Sequence, residues 1–119
     1  NRIAELKSFG FETVIDLGTA EKTAYLHRQE TEVLGMRYIS IPVDGVLPNQ
    51  QQVNDFTQQV IDSSNNMLLV YSPSSELLGT MWAAYRINLG APVDFAINQG
   101  KTLGMKADQE AILRGRVIQ

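Results

Sequence analysis

The stretch from Met67 to Arg86 limits what this chain can fold into more than any other segment. Met67-Leu68-Leu69-Val70-Tyr71 is an apolar run of strand length, and Ser72-Pro73-Ser74-Ser75 is a polar break. From Glu76 onward the apolar residues recur at helical spacing. A buried strand whose carboxyl end runs straight into a helix N-terminus belongs to α/β architecture. In such folds the junction is where anions and nucleophiles are held.

The remainder of the chain alternates in the same way. Glu12 to Leu17 is rich in β-branched residues and closed by Gly18, which predicts a buried strand. The charged segment from Glu21 to Gly35 reads as a helix capped by Gly35, with Ala24, Leu26, Val33 and Leu34 as its packing residues. Met36 to Val43 reads as a second strand, with Pro42 near its end, and Asp44 to Asn49 as loop. Val53, Phe56, Val60 and Ile61 give the segment Gln50 to Ser63 one apolar helix face.

After the strand Met67 to Tyr71, the following helix is expected to bury Met81, Trp82, Tyr85 and Leu89, with Gly90 as its cap. Pro92 opens another helix that Gly100 and Gly104 interrupt, and a short helix from Asp108 to Arg114 closes the chain. The first ten residues read as a helix carrying Ile3, Leu6 and Phe9 on one face, so residues upstream of Asn1 are expected to be missing. Residues 1–119 suit a single domain. Strands alternating with helices predict a short, mostly parallel central sheet with helices on both faces.

Composition removes several classes of function. The net charge of −3 leaves no basic footprint for nucleic acid. No apolar run approaches the ~20 residues that span a bilayer. Cysteine is absent, which excludes disulfides, thiolate metal sites and cysteine nucleophiles, and the single histidine, His27, excludes any site built on two imidazoles. No grouping of Asp, Glu and His has metal-ligand spacing, and no cofactor is expected.

The segments Gly10-Phe11-Glu12-Thr13-Val14-Ile15-Asp16-Leu17 and Tyr38-Ile39-Ser40-Ile41-Pro42-Val43 resemble one family. The strand–loop–helix around Ser72, the helix Gly79 to Arg86 and the segment Ala96 to Gly104 match it too. The chain resembles the bacterial cysteine-dependent phosphatases of the dual-specificity class, in particular their beta-lactamase-hydrolase-like phosphatase domain. The resemblance covers nearly the whole chain and implies an α/β phosphatase-like three-layer sandwich.

In that family a loop of the form His-Cys, small residues including Gly, then Arg enters the helix. The thiolate attacks phosphorus, loop N–H groups hold the phosphoryl oxygens and the Arg clamps them, while an Asp on an earlier loop protonates the leaving oxygen. On this chain Tyr71 falls at the His position, Ser72 at the Cys, Ser75 near the Gly, and Leu77 at the Arg. Counting one residue longer moves the Arg position to Leu78. Asp44 stands in the loop of the general acid, with Asp16 as the alternative.

The candidate ligand-binding loop is therefore Ser72, Pro73, Ser74, Ser75, Glu76, Leu77 and Leu78, with Ser72 and Asp44 in the vestigial catalytic positions. A hydroxyl without an adjacent base is a poor replacement for a thiolate, and His27 lies on an early helix with no sequence reason to approach Ser72. Pro73 removes one N–H from the cradle. Glu76 places a carboxylate at the helix start, where it suits the helix but repels a phosphate dianion.

The expectation is a phosphatase-fold domain without the family's cysteine-dependent activity, a pseudophosphatase binding a small ligand or a protein partner. The alternative is a phosphatase or hydrolase acting on phosphate esters through a serine of the Ser72–Thr80 loop, assisted by Asp44 or Asp16. Each site residue also has a plainer role. The serines suit a polar loop with an N-cap, Asp16 and Asp44 suit turns, and Trp82 and Tyr85 suit the core. Arg37 and Arg86 suit surface pairing, and His27 suits a solvated helix face.

Overall fold

The computed structural model describes residues 10–18, 21–43, 47–63, 67–72 and 74–118. The elements run β1 (Phe11–Asp16), α1 (Glu21–Val33), β2 (Arg37–Ser40), α2 (Gln50–Asp62), β3 (Met67–Tyr71), α3 (Ser75–Asn88), α4 (Val93–Leu103) and α5 (Ala107–Ile118). The helix expected over residues 1–9 and the loop residues Asp44 and Pro73 lie outside the described residues.

The three strands form one parallel sheet in the order β2-β1-β3. Asp16 lies opposite Ser40 on one side and Tyr71 on the other, so three carboxyl ends finish side by side. Leu17 continues the ladder by donating its N–H to the Tyr71 carbonyl at 2.9 Å. Because β2 and β3 lie on opposite sides of β1, the chain reverses its winding direction between β1 and β3. A crevice outside the strand ends opens at such a point.

Strand alternation sorts the two faces. Ile15, Leu17, Leu68 and Val70 join the larger core with Phe56, Met81, Tyr85 and Ile97 from the helices α2, α3 and α4. Val14, Tyr38 and Leu69 point the other way, into a smaller cluster with Met36 and Leu34 next to α1. The α/β fold with a parallel sheet flanked by helices is thus the one the sequence predicts.

The second strand is shorter than the expected Met36 to Val43, the last helix is longer than the expected Asp108 to Arg114, and several packing details differ from the sequence reading. In α1, Leu26 and Val33 are exposed rather than packed, and Thr31 is fully buried. The inward face of α1 follows His27 and Thr31, with Leu34 just beyond the helix, because the strand ends it covers carry Asp16, Tyr38 and Tyr71, which call for polar neighbours. On α2 the inward set is Val53, Phe56, Thr57 and the half-buried Val60, leaving Ile61 exposed. Leu89, at the end of α3, is exposed. Gly100 does not interrupt α4, which continues to Leu103 and ends at Gly104.

The reason lies in the packing of α3 against α4, the most extensive between helices of the structure. Gly79 and Gly100 meet backbone to backbone: a Cβ on Gly79 would stand 2.3 Å from the Gly100 carbonyl oxygen. Gly100 is therefore a close-approach residue inside a helix, not a terminator. Gly104 does end the helix, with φ 132°, and a Cβ there would stand 2.5 Å from the Ser75 carbonyl oxygen. The turn between α4 and α5 thereby supports the first residue of α3.

Candidate functional site

The site candidate is the junction of β3 and α3, at the carboxyl end of the sheet. Ser74 is the N-cap of α3, in extended conformation, and its hydroxyl accepts the Leu77 N–H at 3.1 Å. Ser72 turns back onto its own loop. Its Oγ donates to the Ser74 carbonyl at 2.8 Å and accepts the Ser74 N–H at 3.3 Å. Two N–H groups that could face an anion therefore already have acceptors within the loop.

Leu77 and Leu78 are half-buried and pack against the main core. Glu76 lies in the first turn of α3, where a carboxylate suits the helix dipole. It is held from the other side by the start of α5: Gln109 Nε2 donates to its Oε2 at 3.3 Å, and Lys106 Nζ lies 3.8 Å from its Oε1. Lys106 N–H in turn donates to Gln109 Oε1 at 2.9 Å. The loop and helix start are thus tied to residues some thirty positions away, which sequence spacing alone does not place there.

The structure also gathers an ionisable group that the sequence reading disperses. Asp16 is buried at the end of β1, with its Oδ2 accepting the Tyr38 hydroxyl and its Oδ1 accepting the Gly18 N–H at 3.2 Å. Burial pushes the Tyr38 pKa above its ordinary 10.0, and the hydrogen bond to Asp16 raises it further. His27 Nδ1 lies 4.0 Å from Asp16 Oδ2. The His27 ring meets Tyr71 edge-on, 6.4 Å between centroids, and Tyr71 directly precedes Ser72. His27 is therefore not simply a solvated helix residue.

The one sequence signal for this arrangement is the i, i+4 relation of His27 to Thr31, whose hydroxyl donates to the His27 carbonyl at 2.6 Å.

The other candidates resolve plainly. Tyr85 is buried; Trp82 is half-buried, its Nε1 donating to Gln99 Oε1 at 3.2 Å. Arg37 donates to Gln59 Oε1 at 3.2 Å, and Arg86 lies over the Phe95 ring at 5.8 Å. Among the described residues no three His, Asp or Glu side chains group as metal ligands. Among the same residues no helix is long and apolar enough to cross a membrane.

A parallel sheet flanked by helices, with a strand–loop–helix junction at its switch point, defines the class: the fold is that of the dual-specificity-type phosphatases. Tk-PTP in its active form is similar with a TM-score of 0.77 at 14% identity, covering 97% of this chain and 82% of that one. Kinase-associated phosphatase with its catalytic-site cysteine replaced by serine has a TM-score of 0.75 at 14% identity, covering 91% and 68%. A DUF442 protein from Shewanella putrefaciens CN-32 has a TM-score of 0.63 at 19% identity over 82% of this chain, which spans 65% of that protein's length. Among curated proteins none matches the chain.

The family is shown by the match of residues 3–115 to the model described as DSP-PTPase phosphatase fused to NAD+ kinase, and the chain belongs to that family.

Proposed function

We propose that this domain has the phosphatase fold without the family's cysteine-dependent activity, and acts as a binding or regulatory module. The observation that carries the reading is the self-satisfied loop. Ser72, at the nucleophile position, spends its hydroxyl proton on the Ser74 carbonyl, and Ser74 fills the helix N-cap. An attacking hydroxyl needs a base to take its proton, and a phosphoryl cradle needs unengaged N–H donors. Leu77 and Leu78 add packing where the family's clamp adds charge. The family description supplies the candidate partner, an NAD+ kinase domain.

A second reading, hydrolysis through Ser72, has one observation in its favour. His27 lies near both Asp16 and Tyr71 at the strand ends, and Tyr71 directly precedes Ser72. In that reading His27 takes the Ser72 proton.

One experiment separates them. Residues 1–119 are assayed with p-nitrophenyl phosphate beside Ser72→Ala and His27→Gln. The binding-module reading expects no turnover above buffer in any of the three. Turnover that disappears in both variants establishes the serine mechanism and sinks the first reading.

A further inference from the structure

Away from the loop, α2, α3, α5 and the segment Leu47–Pro48 enclose an open-sided crevice of about 300 Å³. It sits at the small end of known ligand pockets. Its α3 residues, Ala84, Ile87 and Asn88, lie about 13–20 Å along the helix from Ser75, so it is separate from the strand–helix junction.

The lining has an amphipathic layout. Val53, Ala84, Ile87 and Leu113 supply apolar walls, and Gln50, Asn88 and Arg116 supply the polar part. Asn88 is already occupied: its amide donates to Asn54 and Thr57 and accepts from Gln50 Nε2. Among the described residues Arg116 is the one charged side chain in the lining. Its Nη1 donates to the Pro48 carbonyl at 2.5 Å, which fixes the guanidinium across one wall. Among the described residues Arg116 has no other acceptor, and no carboxylate lies within ion-pair distance of it. A guanidinium has five N–H donors in one plane, so most of its fork is open.

We propose that this crevice binds a small monoanion, a carboxylate with a compact unbranched apolar body. The carboxylate pairs with the open side of Arg116, and the chain lies against Val53, Ala84, Ile87 and Leu113. The charge count selects the class. One guanidinium among described lining residues that are otherwise neutral matches a single negative charge, whereas a phosphate-monoester dianion would bring a second charge with no partner into a partly apolar site. The fixed, planar fork favours carboxylate over a spherical anion. An alkyl ammonium is repelled, and an alcohol of equal length leaves the guanidinium unpaired.

The test is an NMR titration of residues 1–119 with hexanoate into the millimolar range, beside hexylammonium and 1-hexanol. The expected result is saturable shifts centred on Ala84, Ile87 and Leu113, with hexanoate at least ~10-fold tighter than either control, the scale of a charge-assisted hydrogen bond. Arg116→Gln is expected to weaken hexanoate by about the same factor. Because that change also removes the bond to Pro48, Ile87→Phe provides an independent check by filling the crevice while keeping the guanidinium, and it should abolish the shifts. Three results overturn the proposal: no saturable shift with hexanoate, equal binding of hexanol, or unchanged hexanoate binding in folded Ile87→Phe.

Discussion

The Tyr38 hydroxyl donates its hydrogen bond to the buried carboxylate of Asp16, linking the second strand to the first at the end of the sheet where the candidate loop begins. A carboxylate with 1% exposure is stable only with donors around it. Tyr38→Phe removes one and leaves the acceptor buried, which costs about 1–3 kcal/mol. Urea denaturation at neutral pH measures it.

The same pair sets an alkaline limit. The folded-state pKa of Tyr38 is raised, first by burial and then by the bond to Asp16, above its ordinary 10.0. The folded protein keeps this proton when the unfolded chain has lost it. The contribution is therefore fully present below 10.0 and declines as pH rises from there toward the folded value. Stability should fall above that pH in the parent, and the fall should be smaller in Tyr38→Phe.

Glu110 sets an opposite, acid-side dependence. Its pKa is lowered below the ordinary 4.5, first by the hydrogen bond from Arg114 and then by Lys101. Arg114 also reaches Asp94 at 2.9 Å, so the network ties α5 to α4. A depressed folded-state pKa contributes stability above 4.5 that is lost as pH falls through the folded value. Glu110→Gln should flatten part of the acid limb of the thermal midpoint against pH. Added salt should reduce the difference, since the pairs face solvent.

Glycine substitutions should divide by contact. Gly79→Ala and Gly100→Ala each drive a methyl into backbone, at 2.3 Å and 2.6 Å from a carbonyl oxygen, and should destabilise by about 1–3 kcal/mol or more. Gly115 lies in α5, and a methyl there would have nothing within 4 Å of it, so Gly115→Ala should stabilise by about 0.5–1 kcal/mol. Thermal melts of the three variants decide it. A loss at Gly115 matching those at Gly79 and Gly100 would show that the contact is not what matters.

Within the loop, Ser74→Ala removes the cap of α3 and should cost about 0.5–2 kcal/mol. Ser74→Gly keeps a tolerated cap residue and should cost only a few tenths of a kcal/mol. Chemical denaturation of the pair distinguishes a capping role from a general sensitivity of the loop.

What the sequence determined by itself is the order of elements and the location of the junction. Apolar runs of strand length mark the strands, and Met67 to Tyr71 appears as β3 with the bounds its composition implies, although Leu68 to Val70 are half-buried and Tyr71 is exposed rather than buried. The cap expected of the loop serines is Ser74 at the start of α3, legible because a cap is a contact of three residues' span. Non-local contacts were not legible. Counting apolar residues in α1 selects Leu26 and Val33, while the structure turns His27 and Thr31 inward to meet polar strand ends.

Gly100 reads locally as a helix breaker and becomes a contact only when α3 lies against it. The hold of Lys106 and Gln109 on Glu76, and of Arg116 on Pro48, joins positions far apart in the chain. Local periodicity carries the energy of one helix face or one strand. Which faces meet is settled by long-range packing, and that arrangement alone produced the proximity of His27 to Asp16 and Tyr71 and the crevice at Arg116.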